Sequence, residues 1–256
     1  MNQLICCDAV DGLKTLPNES IPLVVTSPPW DDMREFGGHS WDFEAVADHL
    51  WRVIVPGGVI CWHVANQVQN NSETLTSFRQ ALHFQRLGFC VNTLVIDTHI
   101  PGTRKFRYGH GVQFVFVLSK GKPLVFSPIC DVPNKQAGEV RVFYSRDANG
   151  DFHYSRPKVV KPYRARDAVW HHMNGGHSDR DLTKSHPAVF NERLVRDLIR
   201  SYSVTGNVVL DCFSGSGTTA VVALTEGRRY LGFEINSEYH ELALKRLRRT
   251  SARLVA

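Results

Sequence analysis

A segment in the last quarter of the sequence combines residues that could bind a nucleoside. Residues 211–217, DCFSGSG, lie between an apolar run typical of a buried strand and a helical pattern. Glycine lets the backbone turn tightly and approach a ligand that side chains would otherwise exclude. About twenty residues later Glu234 closes the next predicted strand, where its carboxylate can accept hydrogen bonds from both hydroxyls of a ribose. This spacing predicts a nucleoside-cofactor site at the carboxyl edge of a parallel sheet.

The glycines alone leave the cofactor open. Gly215, Gly217 and Ala220 also fit the dinucleotide fingerprint, and a plain strand–turn–helix connection needs glycines as well. Asp211 stands at the strand end before the glycines, where its charge would repel a diphosphate. The same carboxylate could face a cationic amine, such as the ammonium group of S-adenosylmethionine. Asp211 therefore favours S-adenosylmethionine over a dinucleotide.

A second segment, residues 27–30 (SPPW), directly follows an apolar run. Two consecutive prolines fix φ and lack N–H groups, so the turn is rigid. Such a turn can hold the Ser27 hydroxyl and the Pro28 carbonyl as acceptors, with the flat face of Trp30 beside them. Two acceptors that bond the hydrogens of a planar amine favour a pyramidal nitrogen and direct its lone pair at an electrophilic methyl group. A base swung out of a duplex could stack on Trp30; the alternative is a proline-stopped strand with a core tryptophan.

Both turns need a sheet to position them. Apolar β-rich runs predict strands at 4–7, 21–26, 59–64, 112–118, 207–211 and 230–234. Helical periodicity predicts helices at 42–54, 192–202, 218–226 and 237–249, the first of them stopped by the Pro-Gly-Gly at 56–58. Residues 1–97 and 186–256 thus alternate as α/β units do, and we expect them to form one sheet because neither has enough strands alone. Residues 98–185, rich in basic, aromatic and turn-forming residues, predict an inserted recognition region.

Composition restricts the class of protein. The 256 residues are 43% apolar and 21% charged, which supports a full-sized core and is too ordinary for a disordered chain. No run approaches the roughly 18 apolar residues of a transmembrane helix, and the first residues, MNQLICCDAV, do not resemble a secretory signal. We therefore expect a cytoplasmic protein. The six cysteines form no CxxC pair, and the His171, His172 and His177 group lacks a cysteine, so we expect no metal site.

A small positive excess permits a polyanionic partner without demanding one. Thirty basic and 25 acidic residues give a net charge of +5. Two basic stretches with aromatic residues, 104–108 and 156–166, suit phosphate contacts and guanine readout, whereas ordinary solvated loops are the alternative. The candidate nucleic-acid contacts are Arg104, Lys105, Arg107, Arg156, Lys158, Lys161, Arg164 and Arg166. The basic cluster 245–249 lies in the terminal predicted helix, and we expect it to be a solvated face.

Taken jointly, the two turns resemble the motifs of the DNA amino-methyltransferases, S-adenosylmethionine enzymes that modify an exocyclic base nitrogen. The family's catalytic motif, (Asp/Asn/Ser)-Pro-Pro-aromatic, is matched at 27–30. Its cofactor motif, Asp-Pro-Phe-x-Gly-Ser-Gly-Thr, is matched at 211–218, with Cys212 in place of proline. The catalytic motif comes first, as in the β class, which includes restriction–modification and solitary enzymes. Further similarity lies at 50–62, at 110–120, where Gly111 replaces a glutamate, and at 186–190.

This resemblance implies a fold, a cofactor and a set of site residues. The fold is α/β, the Rossmann-like sheet of S-adenosylmethionine-dependent methyltransferases with circularly permuted motif order. Its catalytic half is 1–97, its target-recognition region 98–185 and its cofactor-binding half 186–256. The implied catalytic residues are Ser27, Pro28, Pro29 and Trp30. The residues implied to bind S-adenosylmethionine are Asp8, Phe190, Asp211, Phe213, Gly215, Ser216, Gly217, Thr218 and Glu234. The implied partner is double-stranded DNA, bound by a monomer or a homodimer.

The target atom follows from the first residue of the catalytic turn. Within the family, Ser-Pro-Pro is associated with cytosine N4 and Asp-Pro-Pro with adenine N6. Ser27 therefore predicts N4-cytosine methylation, with adenine N6 as the alternative. A C5-cytosine enzyme needs a Pro-Cys nucleophile, and the sequence contains no Pro-Cys pair. Less favoured alternatives are methylation of RNA or protein, a nucleotide-dependent oxidoreductase, and a catalytically silent DNA-binding protein.

Overall fold

The strands that precede the two turns lie side by side in one sheet. The computed structural model describes residues 2–30, 40–98, 102–109, 111–171, 179–183 and 188–255. The chain divides into a larger unit, Met1–Ser127 with Ala168–Ala256, and a smaller unit, Pro128–Asp167. The larger unit contains both turns.

The described strands are, in chain order, β1 (Gln3–Cys6), β2 (Ile21–Thr26), β3 (Ile54–Val64), β4 (Val68–Gln69), β5 (Ser72–Glu73), β6 (Cys90–Asp97), β7 (Thr103–Arg104), β8 (Arg107–Tyr108), β9 (Val112–Ser119), β10 (Val132–Pro133), β11 (Val140–Arg141), β12 (Tyr144–Arg146), β13 (Phe152–Tyr154), β14 (Lys158–Val159), β15 (Tyr163–Arg164), β16 (Val169–His171), β17 (Val208–Asp211) and β18 (Arg229–Glu234). The described helices are α1 (Ala9–Lys14), α2 (Phe43–Val53), α3 (Thr76–Arg86), α4 (Arg180–Thr183), α5 (Glu192–Tyr202), α6 (Thr218–Thr225) and α7 (Ser237–Val255). Within the described ranges, no helix is both long and apolar enough to cross a membrane.

The central sheet joins strands from both ends of the chain. Its order is β1-β18-β17-β2-β3-β9-β6-β16. β9 runs antiparallel to its two neighbours, and the other neighbouring strands pair in parallel. β2 and β17 pair directly, with Val24 beside Leu210. The Rossmann-like α/β fold predicted from the sequence is thereby confirmed, and the carboxyl ends of β2 and β17 meet at one edge.

Helices cover both faces of this sheet. Leu13 of α1 and Leu50 of α2 are fully buried in the cluster on one face, and Leu198 of α5 is buried in the cluster on the other. Successive residues of β2 point to opposite clusters, Val24 to the first and Val25 to the second. A strand covered on both faces is apolar along most of its length, which is why the sequence predicts the strand at 21–26 clearly.

The Pro-Gly-Gly segment at 56–58 does something other than stop a helix. Helix α2 begins after Asp42, whose carboxylate accepts a hydrogen bond from the Ala45 amide, and it ends at Val53. Strand β3 begins at the next residue and includes 56–58. There the pairing with β2 changes register between Ile21 and Leu23. The segment therefore forms an irregularity within a long strand. The prediction that it stops the helix is wrong, because α2 ends at Val53 and β3 begins before the segment.

The smaller unit is one long, interrupted hairpin. β10 pairs with β15, β11 with β14 and β12 with β13, all antiparallel and nested one inside the next. The sequence predicts a wider recognition region, 98–185, but β9 and β16 within that range belong to the central sheet. The separate unit is accordingly Pro128–Asp167, and its strands of two or three residues are too short for a periodic pattern to predict them.

Candidate active site

A hydrogen bond joins the ends of two neighbouring strands in the sheet. Thr26, the last residue of β2, donates from Oγ1 to Asp211 Oδ1 over 2.6 Å, and Asp211 is the last residue of β17. Thr219 Oγ1 donates to the Val25 carbonyl over 3.2 Å, which ties the start of α6 to β2 as well. The SPPW turn follows Thr26 directly, and the glycine-rich turn follows Asp211. The predicted catalytic and cofactor motifs are therefore held together at one edge of the sheet.

The carboxyl group of Asp211 is buried at this junction. Its Oδ1 also accepts a hydrogen bond from the Phe213 amide over 3.1 Å. Burial raises the pKa of Asp211 to about 6, although the hydrogen bonds from Thr26 and Phe213 act in the opposite direction. The sequence predicts that this carboxylate faces a cationic amine, and the structure adds that one of its oxygens braces the two turns against each other.

The glycine-rich turn is closely packed against its neighbours. Gly217 precedes α6 with a φ of 77°, and a Cβ at this position would lie only 2.7 Å from Ala243 Cβ. The Gly215 amide donates to Glu234 Oε2 over 2.7 Å, and the Asn236 amide donates to Glu234 Oε1 over 2.9 Å. These two amides fix the Glu234 carboxylate beside the turn, where the sequence predicts that it binds a ribose.

Arg246 of α7 braces the same turn from inside the protein. Its Nη1 donates to the Ser216 carbonyl over 2.7 Å and to Thr218 Oγ1 over 3.0 Å, and its Nη2 donates to Glu192 Oε1 over 2.8 Å. The expectation that 245–249 is a solvated face is wrong for Arg246, whose side chain is fully buried. Ser216 and Thr218, both predicted to bind the cofactor, are buried beside it. Both accept hydrogen bonds from Arg246, and their contact with the cofactor stays a prediction.

His63 is the partner of the SPPW turn that sequence reasoning missed. The Ser27 hydroxyl lies 3.2 Å from His63 Nδ1, and the Trp30 indole N–H donates to the His63 carbonyl over 3.2 Å. The Trp30 ring meets the imidazole edge-on with centroids 5.2 Å apart. Phe190 stacks on the imidazole at 4.8 Å, almost parallel to it. The structure thus brings Ser27, Trp30 and Phe190, three of the predicted site residues, around one buried imidazole.

The contacts of His63 fit one tautomer of the neutral imidazole. Nε2 lies 2.9 Å from Gln113 Oε1. In the tautomer with the proton on Nε2, this nitrogen donates to Gln113, and Nδ1 is left as an acceptor for the Ser27 hydroxyl. A hydroxyl that donates to an imidazole presents its own oxygen lone pairs to whatever lies beyond it.

An open cleft lies at the beginnings of helices α1 and α2. Asp8 begins α1 by accepting from the Val10 amide over 2.8 Å, and the preceding residue, Cys7, donates its amide to the Glu234 carbonyl. The Trp41 ring stands 4.9 Å from the ring of Phe213. The cleft has a volume of about 690 Å³ and is lined by Asp8, Val10, Ser40, Trp41, Asp42, Phe43 and Glu44.

Comparison with known proteins decides the family. The family model described as DNA methylase, of the N6/N4 type, matches residues 21–245. The chain belongs to this DNA methylase family. The orphan methyltransferase M.BamHII of Bacillus amyloliquefaciens is 38% identical to it over 237 residues, which are 90% of this chain and 89% of that relative. The DNA adenine methyltransferase YhdJ of Escherichia coli (strain K12) is 27% identical over 249 residues, which are 94% of this chain and 80% of that relative.

Solved structures agree on the fold. The PvuII DNA methyltransferase (cytosine-N4-specific) superposes with a TM-score of 0.68 at 19% identity, covering 98% of this chain and 90% of that one. A putative DNA modification methylase from Thermus thermophilus, complexed with S-adenosyl-L-methionine, superposes with a TM-score of 0.65 at 23% identity, covering 98% of this chain and 96% of that one. At these identities the likeness establishes a shared fold.

Membership of the DNA methylase family confirms the predicted class of enzyme and its cofactor, S-adenosylmethionine. The dinucleotide interpretation of the glycine-rich turn is thereby rejected. The donor set at the sheet edge fits a nucleoside cofactor, because the Glu234 carboxylate is suited to ribose hydroxyls and the aromatic rings beside the cleft are suited to a purine. Glu234, Phe213 and Asp8 would hold the nucleoside, and Phe190 and Asp211 would lie toward its amino-acid end. The cytoplasmic location and the choice between monomer and homodimer stay predictions.

The predicted DNA contacts of the methylase fall in both units. In the larger unit, the Lys105 ammonium lies 5.1 Å from the centre of the exposed Phe106 ring. In the smaller unit, Arg166 donates from Nε to Asp131 over 2.8 Å. The remaining members of that stretch, all with exposed side chains, are Arg156, Lys158, Lys161 and Arg164. Contact between these residues and DNA stays a prediction, least supported for the ion-paired Arg166.

Several predicted features lie outside the described residues. These are the histidines His110, His172, His177 and His186, together with Pro187. The side chains of Arg104 and Arg107 are also outside the description, although their backbones pair in the β7–β8 hairpin. Within the described part of the chain, no group of three or more His, Cys, Asp or Glu side chains could hold a metal ion.

Proposed function

We propose that this DNA methylase transfers a methyl group from S-adenosylmethionine to the exocyclic N4 of a flipped cytosine in double-stranded DNA. The observation that carries the proposal is the hydrogen-bonded chain from Ser27 through His63 to Gln113. This chain begins one residue after Thr26, the residue bonded to the cofactor turn through Asp211. An amine bound at Ser27 would therefore lie beside the turn that binds the cofactor.

The SPPW turn activates the amine. The nitrogen of a cytosine amino group is a poor nucleophile because its lone pair is delocalised into the ring. Hydrogen bonds from its two N–H groups to Ser27 Oγ and the Pro28 carbonyl favour a pyramidal nitrogen with a localised lone pair. The prolines fix these acceptors, and the indole N–H of Trp30, bonded to the His63 carbonyl, fixes the ring on which the flipped base would stack.

His63 takes the proton that the reaction releases. The cofactor supplies an electrophilic methyl group, so a new nitrogen–carbon bond forms as the sulfur–carbon bond breaks, and the nitrogen becomes cationic. Ser27 Oγ accepts a proton from this nitrogen while its own proton passes to His63 Nδ1. The ring then carries two protons, and Gln113 stabilises it by accepting from Nε2. The balance leaves a neutral methylated amine and a proton for release to solvent.

Two residues near the cofactor turn prepare it for a positively charged ligand. Asp211 is buried, and its raised pKa means that ionisation is costly in the protein alone. A cationic ammonium or sulfonium group close to it would favour the carboxylate. Glu234, fixed by the amides of Gly215 and Asn236, would accept hydrogen bonds from the ribose hydroxyls. We therefore expect Asp211 to be ionised when the cofactor is bound.

The choice of cytosine N4 rests on Ser27. A neutral hydroxyl that donates to His63 is a weaker acceptor than the aspartate associated with adenine N6. The solved PvuII enzyme is described as cytosine-N4-specific and the 27% identical YhdJ as an adenine methyltransferase. Adenine N6 is accordingly the alternative target within the same fold and pocket.

Mass spectrometry of modified nucleosides tests this proposal. Unmodified genomic DNA would be incubated with the protein and S-adenosylmethionine, digested and analysed. We expect N4-methylcytosine to increase and N6-methyladenine to stay at the level of a reaction without cofactor. N6-methyladenine as the product would overturn the choice of base, and no modified base would overturn the proposed reaction on DNA.

A further inference from the structure

The tip of the smaller unit carries an exposed aromatic surface. Tyr144 pairs directly with Tyr154, and Arg146 pairs directly with Phe152, across strands β12 and β13. Residues two apart on a strand, and residues directly opposite each other, project from the same face of a two-stranded ribbon. These four side chains therefore share one face, called here the aromatic face, and Ser145 lies on the other.

The aromatic face is exposed to an extent unusual for such side chains. Tyr144 is 68% exposed, Tyr154 69% and Phe152 45%. The rings contact one another, with centroids of Tyr144 and Phe152 5.6 Å apart, and Arg146 lies over Phe152, but both tyrosines remain mostly exposed. Neighbouring exposed apolar side chains of this size on a protein surface mark a site of interaction.

The ribbon is built to hold a fixed shape at its tip. Asp147 Oδ1 accepts hydrogen bonds from the amides of Asn149 over 2.9 Å and Asp151 over 3.0 Å. Asp147 Oδ2 lies 3.0 Å from His153 Nε2, and Gly150 takes a φ of 90° that suits the turn. Because the turn is closed by these bonds, little ordering would be needed when the tip binds a partner.

The charge of the hairpin identifies the kind of partner. The smaller unit, 128–167, contains eight basic and five acidic residues, so it carries a net positive charge even though Arg141 pairs with Glu139 and Arg166 with Asp131. A partner for this surface must be negatively charged and must also offer flat or apolar edges to the rings. DNA satisfies both conditions, and its major groove is wide enough to admit a two-stranded β-ribbon.

Arg146 is positioned to read a base. Its guanidinium carbon lies 4.2 Å from the centre of the Phe152 ring, in a cation–π contact. The contact with the ring restrains the guanidinium, and the N–H groups of an arginine are those that pair with O6 and N7 of guanine. An arginine held in this way loses less conformational freedom on binding than one on an unsupported side chain.

We propose that the β12–β13 ribbon lies in the major groove of the DNA substrate and that Arg146 specifies a guanine in the target sequence. The inference rests on the proposed function in that the substrate is DNA. The tyrosines at 144 and 154 contact the neighbouring bases or sugars, and the basic residues at 156–164 contact phosphates. Sequence choice then belongs to the tip of the smaller unit, and methyl transfer belongs to the larger unit.

The test compares the methylated sequences of four proteins. Wild type, Arg146→Ala, Arg146→Lys and a control, Arg86→Ala, would each methylate the same unmodified genome, and single-molecule sequencing would identify every modified site. Arg86 is an exposed arginine on α3 of the larger unit. We expect wild type and Arg86→Ala to share one motif that contains a guanine. Arg146→Ala should accept other bases at that position, with discrimination lowered by about 10- to 100-fold.

The lysine variant separates charge from geometry. Arg146→Lys retains the positive charge but loses the two-pronged contact, so we expect its relaxed motif to match that of Arg146→Ala while its binding to random DNA stays near wild type. An unchanged motif in both variants, with wild type active, would overturn this inference and leave the proposed function intact. A loss of self-association in Tyr144→Ser, measured by sedimentation with an unchanged motif, would show that the aromatic face binds a second copy and would also overturn it. An inactive wild type would instead refute the proposed function.

Discussion

Thr26 Oγ1 and Asp211 Oδ1 lie 2.6 Å apart although 185 positions separate the two residues in the chain. Each is the last residue of its strand, and each is followed by one of the two functional turns. The bond is inside the sheet edge, where both residues are buried, so it is protected from competition by water. It therefore couples the position of the amine-binding turn to that of the cofactor turn.

Replacing Thr26 by valine tests this coupling. Valine has nearly the same shape but no hydroxyl, so the buried Asp211 carboxyl group loses a hydrogen bond. We expect the free energy of unfolding to fall by about 1–3 kcal/mol, because a buried acceptor loses its partner. We also expect kcat/KM for S-adenosylmethionine to fall roughly tenfold, as the reacting groups lose alignment. Chemical unfolding and steady-state kinetics would measure both.

Thr26→Ser is the matched control, because serine keeps the hydroxyl and removes only a methyl group. It should retain more of the wild-type stability and most of the activity. If the valine variant were as active as the serine variant, the hydrogen bond would have no part in aligning the turns.

The pKa of Asp211 predicts a pH-dependent stability. Raising this pKa from 3.8 to about 6 means that the folded state holds a proton more tightly than the unfolded chain. The contribution to stability is full below pH 3.8 and is lost as the pH rises through 6. The total loss of stability is at most ~3 kcal/mol. The side chain in Asp211→Asn cannot ionise. Without cofactor, this variant should therefore become more stable than wild type as the pH rises from about 4 to about 7, the range that spans the two pKa values.

Unfolding of both proteins across that pH range, without cofactor, checks the sign. The asparagine oxygen can still accept from Thr26, so the variant keeps the bond that braces the turns. Parallel stability curves for the two proteins would contradict the assignment. Added S-adenosylmethionine should reverse the order of stability near pH 7, because the ionised carboxylate favours a cationic ligand.

His63 predicts a loss of turnover without loss of cofactor binding. In His63→Gln the side chain keeps a polar group but cannot take up a proton, so kcat should fall by about 10²-fold or more. The dissociation constant for S-adenosylmethionine, measured by calorimetry, should change far less than kcat, because none of the residues predicted to bind the cofactor is replaced.

Gln113→Ala is the companion variant for His63. It leaves the imidazole in place but removes the acceptor that holds the proton on Nε2. Its kcat should fall less than that of His63→Gln, and the pH dependence of its kcat should differ from wild type. Wild-type turnover in His63→Gln would mean that the proton leaves the amine by another route.

Arg246 predicts a structural defect at the cofactor turn. The guanidinium contacts Glu192, and its Nε lies 3.7 Å from Asp179, a buried acid that also faces Arg249 and Arg253. Arg246→Met leaves Glu192 buried without this partner, so the free energy of unfolding should fall by about 3–5 kcal/mol. Thermal and chemical unfolding would measure the change.

The double variant Arg246→Met, Glu192→Leu separates charge burial from the bracing of the turn. Removing both charges should recover part of the stability, since an apolar pair can replace a buried ion pair. The KM for S-adenosylmethionine should exceed the wild-type value in the single and the double variant alike, because in both the Ser216 carbonyl and the Thr218 hydroxyl lack the Arg246 donor. A KM equal to wild type would confine Arg246 to a role in stability.

The sequence predicts best the elements whose signals are local. The strand at 21–26 and the helix at 192–202 have in the structure the limits predicted for them. The strand is an apolar run ended by prolines, and the helix has an apolar stripe and a capping Asn191. Helix α3 lacks such a signal at its start, because it follows Leu75, a residue in the left-handed region that offers no side-chain cap. The two turns were found because each motif is contiguous in the chain.

The residues that were missed act through contacts distant in sequence. His63 is one polar residue in an apolar strand, and its partners Ser27 and Gln113 are 36 and 50 positions away. Arg246 belongs to a run of basic residues in which periodicity alone does not say which one faces inward. Its partner Glu192 is 54 positions away, so only the fold, which brings Arg246 to the first residue of α5, reveals the pair. Sequence patterns report the period of an element, and long-range polar pairs need the fold.

The most direct test of the central claim follows a labelled methyl group into DNA. Wild type and Ser27→Ala would be incubated with unmodified DNA and S-adenosylmethionine that carries a deuterated methyl group. The DNA would then be digested, and its labelled nucleosides would be identified and quantified by mass spectrometry. Calorimetry on the same samples would measure cofactor binding. We expect labelled N4-methylcytosine from wild type, at most about one hundredth of it from Ser27→Ala, and similar cofactor affinity in both. Equal labelled N4-methylcytosine from the two proteins would contradict the role of Ser27, and label found only in adenine would contradict the choice of cytosine.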